Sequence, residues 1–158
     1  MKKELLKGFT MLMLIVVLAL ATAVVSANAQ SSNKVVADIP FEFVVGDQSM
    51  PSGEYAVKAS SAQSNGLMIQ SADAKRSAIR LTNAIEARRN KTDARLVFHR
   101  YGQRYFLAEV WSGGDSTGRQ LWKSRQERAI ERELASISSK SEMAKTSYET
   151  VEVVAALR

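Results

Sequence analysis

A single histidine, His99, and a complete absence of cysteine limit the chemistry open to this sequence. One imidazole excludes any site that needs two, and a serine triad survives only with His99 as its base. Without thiols there is no thiolate nucleophile, no disulfide and no thiolate metal site. His99 falls inside the apolar run ARLVFHRY (94–101), where an imidazole is first a structural residue of a strand face. Asp115 and Ser116 are the nearest triad partners in sequence, but they belong to a flexible SGGDSTG stretch, and no Gly-x-Ser-x-Gly elbow accompanies them. Glu42, Glu54 and Glu109 fall in or beside expected strands. Two of them facing a cleft at suitable separation would run glycoside hydrolysis, although a solvated strand face explains each one. Gly113 to Gly118 followed by Arg119 mimics the spacing of a phosphate loop. Arginine replaces the lysine, and Gln120 the hydroxyl, that make the phosphate and magnesium contacts, so the glycines are read as turn residues. No catalytic residue, metal ligand or cofactor is assigned.

Binding residues are of two kinds. Arg119, Lys123, Arg125, Arg128 and Arg132 form the densest basic stretch, with Trp111 and Trp122 close in sequence. Glu127, Glu131 and Glu133 are interspersed, which suits a solvated helix carrying local ion pairs. Arg88-Arg89-Asn90-Lys91 is read as an exposed loop rather than a nucleic-acid clamp. If the β core is hollow, Phe41, Phe43, Phe98 and Leu107 are the candidates to line a cavity for an apolar or amphiphilic ligand.

The elements that must position these groups follow an export leader. Met1 to Lys7 is a short basic head, residues 11–25 (MLMLIVVLALATAVV) are an apolar run, and Ala27-Asn28-Ala29 supplies small residues before Gln30. This layout predicts a signal peptide over residues 1–29, cleaved after Ala29. The run is too short for a comfortable helical span, so no membrane span is expected after cleavage. The head lacks paired arginines, which points to the general secretory route, and without cysteine there is no lipoprotein anchor. The leader holds three of the 22 basic and one of the 16 acidic residues, leaving a mature charge of +4. That charge favours loose association with anionic surfaces, while export makes nucleic acid an unsuitable partner.

Residues 30–158 are expected to form one domain, with a polar start over 30–34. Phe41, Phe43 and Val45 alternate along a strand that Pro40 opens or places at an edge. Gly46-Asp47 and Pro51-Ser52-Gly53 are turn chemistry. Tyr55, Val57 and Ala59 share the next strand face, and Asn65-Gly66 turns the chain into Leu67-Met68-Ile69. A turn near Asp73 leads to Ser77, Ile79 and Leu81. Residues 86–93 read as an exposed loop. Residues 94–101 and 104–111 make the clearest hairpin, around Gly102-Gln103, with Val97 near Ala108, His99 near Phe106, and Val110 on the same face. Leu96, Phe98 and Leu107 occupy the other face, so the hairpin must be covered on both sides. Ser124 opens a capping box with Glu127, predicting a helix over about 124–137 that buries Ile130, Leu134 and Ile137. A polar link over 138–147 precedes a final strand at about 149–156.

The segments IPFEFVVG (39–46), MPSGEY (50–55), Leu81-Thr82-Asn83, RLVFHRYGQRYFL (95–107) and GRQLWKSRQER (118–128) resemble a family of small exported proteins of soil bacteria. The resemblance implies export and a compact β-rich domain, and it brings no activity, ligand or site residue with it.

The sequence thus predicts a mainly β domain of about seven antiparallel strands, a small barrel or sandwich, with one amphipathic helix near the C-terminus. Three functional classes are open. The first is a periplasmic or secreted non-enzymatic protein binding a small apolar ligand. The second is a structural or partner-binding envelope component, and the third a small hydrolase using His99 or paired carboxylates.

Overall fold

The computed structural model describes residues 34–60, 65–87, 93–114, 116–137 and 148–158. The expected leader and cleavage site, the start over 30–33, the basic segment 88–91, Asp115 and the link over 138–147 lie outside the described residues.

The protein is mainly β. Strands β1 (Val35–Ile39), β4 (Gly53–Ala59), β5 (Gly66–Ser71) and β6 (Ser77–Glu86) pair antiparallel in that order. The second half of β6 pairs with β9 (Thr117–Leu121), which leads through β8 (Arg104–Trp111) and β7 (Arg95–Tyr101) to β10 (Glu149–Val154). The short strand β11 (Ala156–Leu157) flanks β1. The hairpin of β2 (Phe43–Val45) and β3 (Gln48–Met50) lies beside the start of β8 in the single parallel pairing among the described strands. The ladder therefore runs β10-β7-β8-β9-β6-β5-β4-β1-β11, with no pairing between its two ends. Those ends are consecutive in the chain: Ala155 N–H donates to Ala94 at 2.9 Å, then Arg158 N–H to Lys34 at 2.8 Å.

Eleven described strands replace the expected seven. β2 and β3 have three residues each and β11 has two, too short to show a period. The end expected as one strand is two, because the chain leaves β7 for β1 at Ala155. β6 reaches Glu86, so the loop expected from that residue begins later.

The core follows the two-residue period of the strands. Val35, Ala37 and Ile39, then Tyr55 and Val57, Leu67 and Ile69, and Leu96 and Phe98 all point into one cluster with Phe43, Val45 and Met50. The Tyr55 hydroxyl donates to the Pro51 carbonyl at 2.7 Å, so the Pro-x-Gly-x-Tyr element ties a strand entry to a buried ring. Burial, more than the nearby Asp73 charge, pushes the phenol pKa of Tyr55 up.

The β7–β8 hairpin turns at Gly102-Gln103, where Gly102 has φ 62°, a conformation glycine adopts without steric cost. His99 faces Phe106 as expected, but the register shifts between Val97 and Phe98, and Val97 pairs with Glu109 instead of lying near Ala108. Such a bulge moves every later residue of the bulged strand to the opposite face. Val110 consequently joins the core beside Leu96 rather than sharing the side of His99.

Helix α1 (Arg125–Ile137) begins where expected. Ser124 Oγ accepts from the Glu127 N–H at 3.0 Å, the bond of an N-cap. Among its described side chains the helix is not seated on the expected apolar stripe: Ile130 is half-buried, Leu134 is 36% exposed, and the most buried is Glu127, at 3%, while the side chain of Ile137 lies outside the described residues.

Candidate functional site

α1 covers the outer face of β7 and β8 through polar contacts. Ser124 fixes the first turn, which carries Glu127 over β7. Glu127 Oε1 lies 2.7 Å from His99 Nδ1 and also accepts from the Tyr101 hydroxyl at 3.3 Å. One turn further, Glu131 Oε1 accepts from the same hydroxyl at 2.7 Å and forms an ion pair with Lys123. Tyr148 closes the cluster, stacked on the His99 ring at 3.9 Å between centroids with Lys123 over its face at 5.2 Å. His99 is 8% exposed. Buried polar groups of this kind are tolerated because they are hydrogen-bonded.

The cluster shifts its own titrations. Burial, reinforced by the Glu131 bond and the two carboxylate charges, raises the Tyr101 phenol well above its ordinary value. Burial opposes the charge on Lys123, but Glu131 more than offsets it and the pKa is raised. Burial likewise pushes the Glu131 carboxyl up, and the bonds from Lys123 and Tyr101 outweigh it, holding the pKa below the ordinary 4.5. Folded Glu131 therefore stays ionised where the unfolded chain takes up a proton. Its contribution is complete above pH 4.5 and is lost as pH falls through the folded value. Glu131→Gln is expected to flatten the fall of the urea midpoint between about pH 5 and about pH 3 relative to wild type. Parallel curves for the two proteins would contradict this.

Beside the cluster is a half-open pocket of ≈ 340 Å³. Asn83 and Gln120, paired across β6 and β9, supply amides, while Trp122, Lys123 and Arg128 form a rim of one aromatic and two cationic side chains. His99 and Glu127 are in its wall. Trp122 is 68% exposed, whereas Trp111, the only other tryptophan, is buried. No hydroxyl or thiol side chain is among the lining residues. No group of three or more His, Cys, Asp or Glu side chains among the described residues is placed to hold a metal.

The other residues singled out by sequence are dispersed. Phe43, Phe98 and Leu107 are core residues, and Phe41 packs against that core, stacked on Tyr105 at 3.9 Å and edge-on to Phe98 at 5.2 Å. Of the three glutamates, Glu42 lines a second pocket of ≈ 320 Å³ with Asp47, Arg104 and Gln126. Glu109 instead accepts from the Trp111 indole N–H at 2.9 Å, and Glu54 is exposed on β4. Gly118 faces Trp111 across the ladder, and a side chain there would meet the indole at 2.6 Å. That close approach explains the glycine without any phosphate.

The basic stretch divides. Arg119 lies near the Thr82 hydroxyl at 3.5 Å and Lys123 belongs to the cluster, while Arg125, Arg128 and Arg132 are exposed along one side of α1. Glu127 was legible as a capping residue and as one of the acidic residues of a solvated helix, whereas it is buried against the sheet. The signal for its second role was its position at the third residue of a helix that had to cover the histidine-bearing strand face.

No helix among the described residues is long and apolar enough to cross a membrane. Comparison of the chain with protein families, with curated proteins and with solved structures gives no match.

Proposed function

We propose that the chain is an exported, non-enzymatic binding protein of the envelope or medium, with its ligand site at the Trp122 pocket rather than in the β core. The observation that carries this reading is the contrast between the packed Phe43, Phe98 and Leu107 and an open pocket rimmed by an exposed indole and two cations. Its ligand class is a small amphiphile with an anionic head: the indole and Leu121 receive the apolar part, Lys123 and Arg128 the charge. The architecture is read as a sandwich, with β6 and the β10–β11 turn as the corners where strands pass from one layer to the other.

Dodecanoate below its micellar concentration serves as the probe. Because Trp111 is buried, a change in indole emission reports Trp122. The expected result is saturable quenching or blue shift that Arg128→Glu weakens about tenfold, as loss of a charged partner does. Emission unchanged by dodecanoate, with no small molecule recovered from the natively purified protein, would remove the pocket reading. For export, the amino terminus of protein recovered from the envelope or medium is expected to be Gln30.

A second reading, a structural or partner-binding envelope protein, is favoured by one observation: Ile79, Leu81 and Trp122 are all more than half exposed.

A further inference from the structure

The residues of β6 alternate strictly between Ile79 and Asn83. Ala78 and Thr82 are buried, and Arg80 points inward to donate to the Val45 carbonyl at 3.0 Å, while Ile79, Leu81 and Asn83 face outward. The β6–β9 pairing ends at Thr82 with Leu121, and Leu81 and Trp122 are the residues that flank this last pair. Ile79, Leu81 and Trp122 are 54%, 69% and 68% exposed; the first two share the outward face of β6 with Asn83, which lines the pocket together with Trp122. Single exposed apolar residues need no explanation, whereas large ones on one strand face and beside its last paired residue suit an interaction surface.

The charge around it is sorted. On α1, Glu127 and Glu131 are turned to the sheet and held by His99, Tyr101 and Lys123. Arg125, Arg128 and Arg132, three and four residues apart, follow one side of the helix and are exposed. Arg128 and Lys123 share the pocket rim with Trp122, placing cations directly against the apolar strip. From this juxtaposition we propose that the surface formed by Ile79, Leu81 and Trp122, with Arg128 and Lys123 at its border, docks on the face of an anionic lipid bilayer.

A bilayer interface meets both halves of the surface. Its acyl boundary takes the leucine and isoleucine, its head-group layer is where the amphipathic indole is most stable, and its phosphates pair with the arginines. The protein lies on the membrane without spanning it. Docking goes beyond the ligand reading, since the strip can insert whether or not the pocket is filled.

The test uses the full mature chain with vesicles of phosphatidylcholine alone or of equal parts phosphatidylglycerol and phosphatidylcholine, followed by sedimentation and tryptophan emission. The expected result is sedimentation with a blue shift on the anionic vesicles alone, reversed by raising salt as screening shortens the reach of the arginines. Leu81→Ser, at a position exposed enough to leave folding intact, should lower the partition coefficient about tenfold. It should leave dodecanoate binding as in wild type. No sedimentation on anionic vesicles at low salt, or equal binding by wild type and Leu81→Ser, would overturn the proposal. Vesicle binding without dodecanoate binding keeps the docking surface and removes the pocket reading. Dodecanoate binding without vesicle binding does the reverse. Glycerol phosphate displacing the protein from vesicles at matched ionic strength would also overturn it, by showing that a head group alone suffices.

Discussion

Glu127→Ala is expected to lower the stability of the folded chain by about 3 kcal/mol, the cost of leaving buried polar partners unsatisfied. His99 loses the carboxylate 2.7 Å from its Nδ1, in a site where the imidazole is almost fully enclosed and stacked on Tyr148. Tyr101 keeps Glu131 as an acceptor, so the loss falls mainly on the histidine. Glu127→Gln, which retains an amide oxygen, is expected to cost about 1 kcal/mol. The contrast that matters is with Leu134→Ala, expected below about 1 kcal/mol because Leu134 is already 36% exposed. A helix seated on an apolar stripe would give the opposite order. Urea unfolding measures all three, and amide exchange locates the effect: residues 125–137 should lose protection in Glu127→Ala while β4, β5 and β7 keep theirs. Equal protection in α1 of the variant and wild type would show that the helix is held by something other than the His99–Glu127 contact.

What could be read in advance divides along the range of the interaction concerned. The β7–β8 hairpin was legible because its turn is two residues long, glycine takes the positive φ, and both strands carry continuous apolar runs. Tyr55 and Val57 were legible as one buried face because strand alternation is local. The bulge at Ala108, opposite Val97 and Phe98, was not, since an extra residue leaves no mark on composition, and it changed the face of Val110. The parallel pairing of β2 with β8 joins residues 62 positions apart and could not be inferred from either strand.

The candidate site was half legible, for a similar reason. Ser124 and Glu127 announce a helix start, and His99 reads as a structural residue of a covered strand face. The identification of each as the other's partner depends on the placement of α1 over β7. Trp122 read as a tryptophan close to a basic stretch, whereas its exposure just beyond the last β6–β9 pair depends on how those two strands come together.

Phe98→Ala separates the packed core from a ligand-bearing one and is expected to cost about 3–5 kcal/mol, the range for deleting a fully buried aromatic side chain. Phe98 has no exposed surface and meets Phe41 and Phe43 edge-on at 5.2 and 5.5 Å, while Phe43 meets Tyr55 in the same manner at 5.0 Å. These rings join strands distant in sequence, so their contacts span the fold rather than line a space within it. In a hollow domain the same substitution would enlarge a cavity already present, leave the urea midpoint nearly unchanged and alter ligand affinity instead. With a packed core the order is reversed: the unfolding free energy falls by a large share of the roughly 5–15 kcal/mol that holds a domain of this size, the midpoint falls with it at constant denaturant slope, and dodecanoate binding at the Trp122 pocket persists in the fraction that is folded. A wild-type midpoint in Phe98→Ala would return the ligand to the interior of the sheet and withdraw it from the outer pocket.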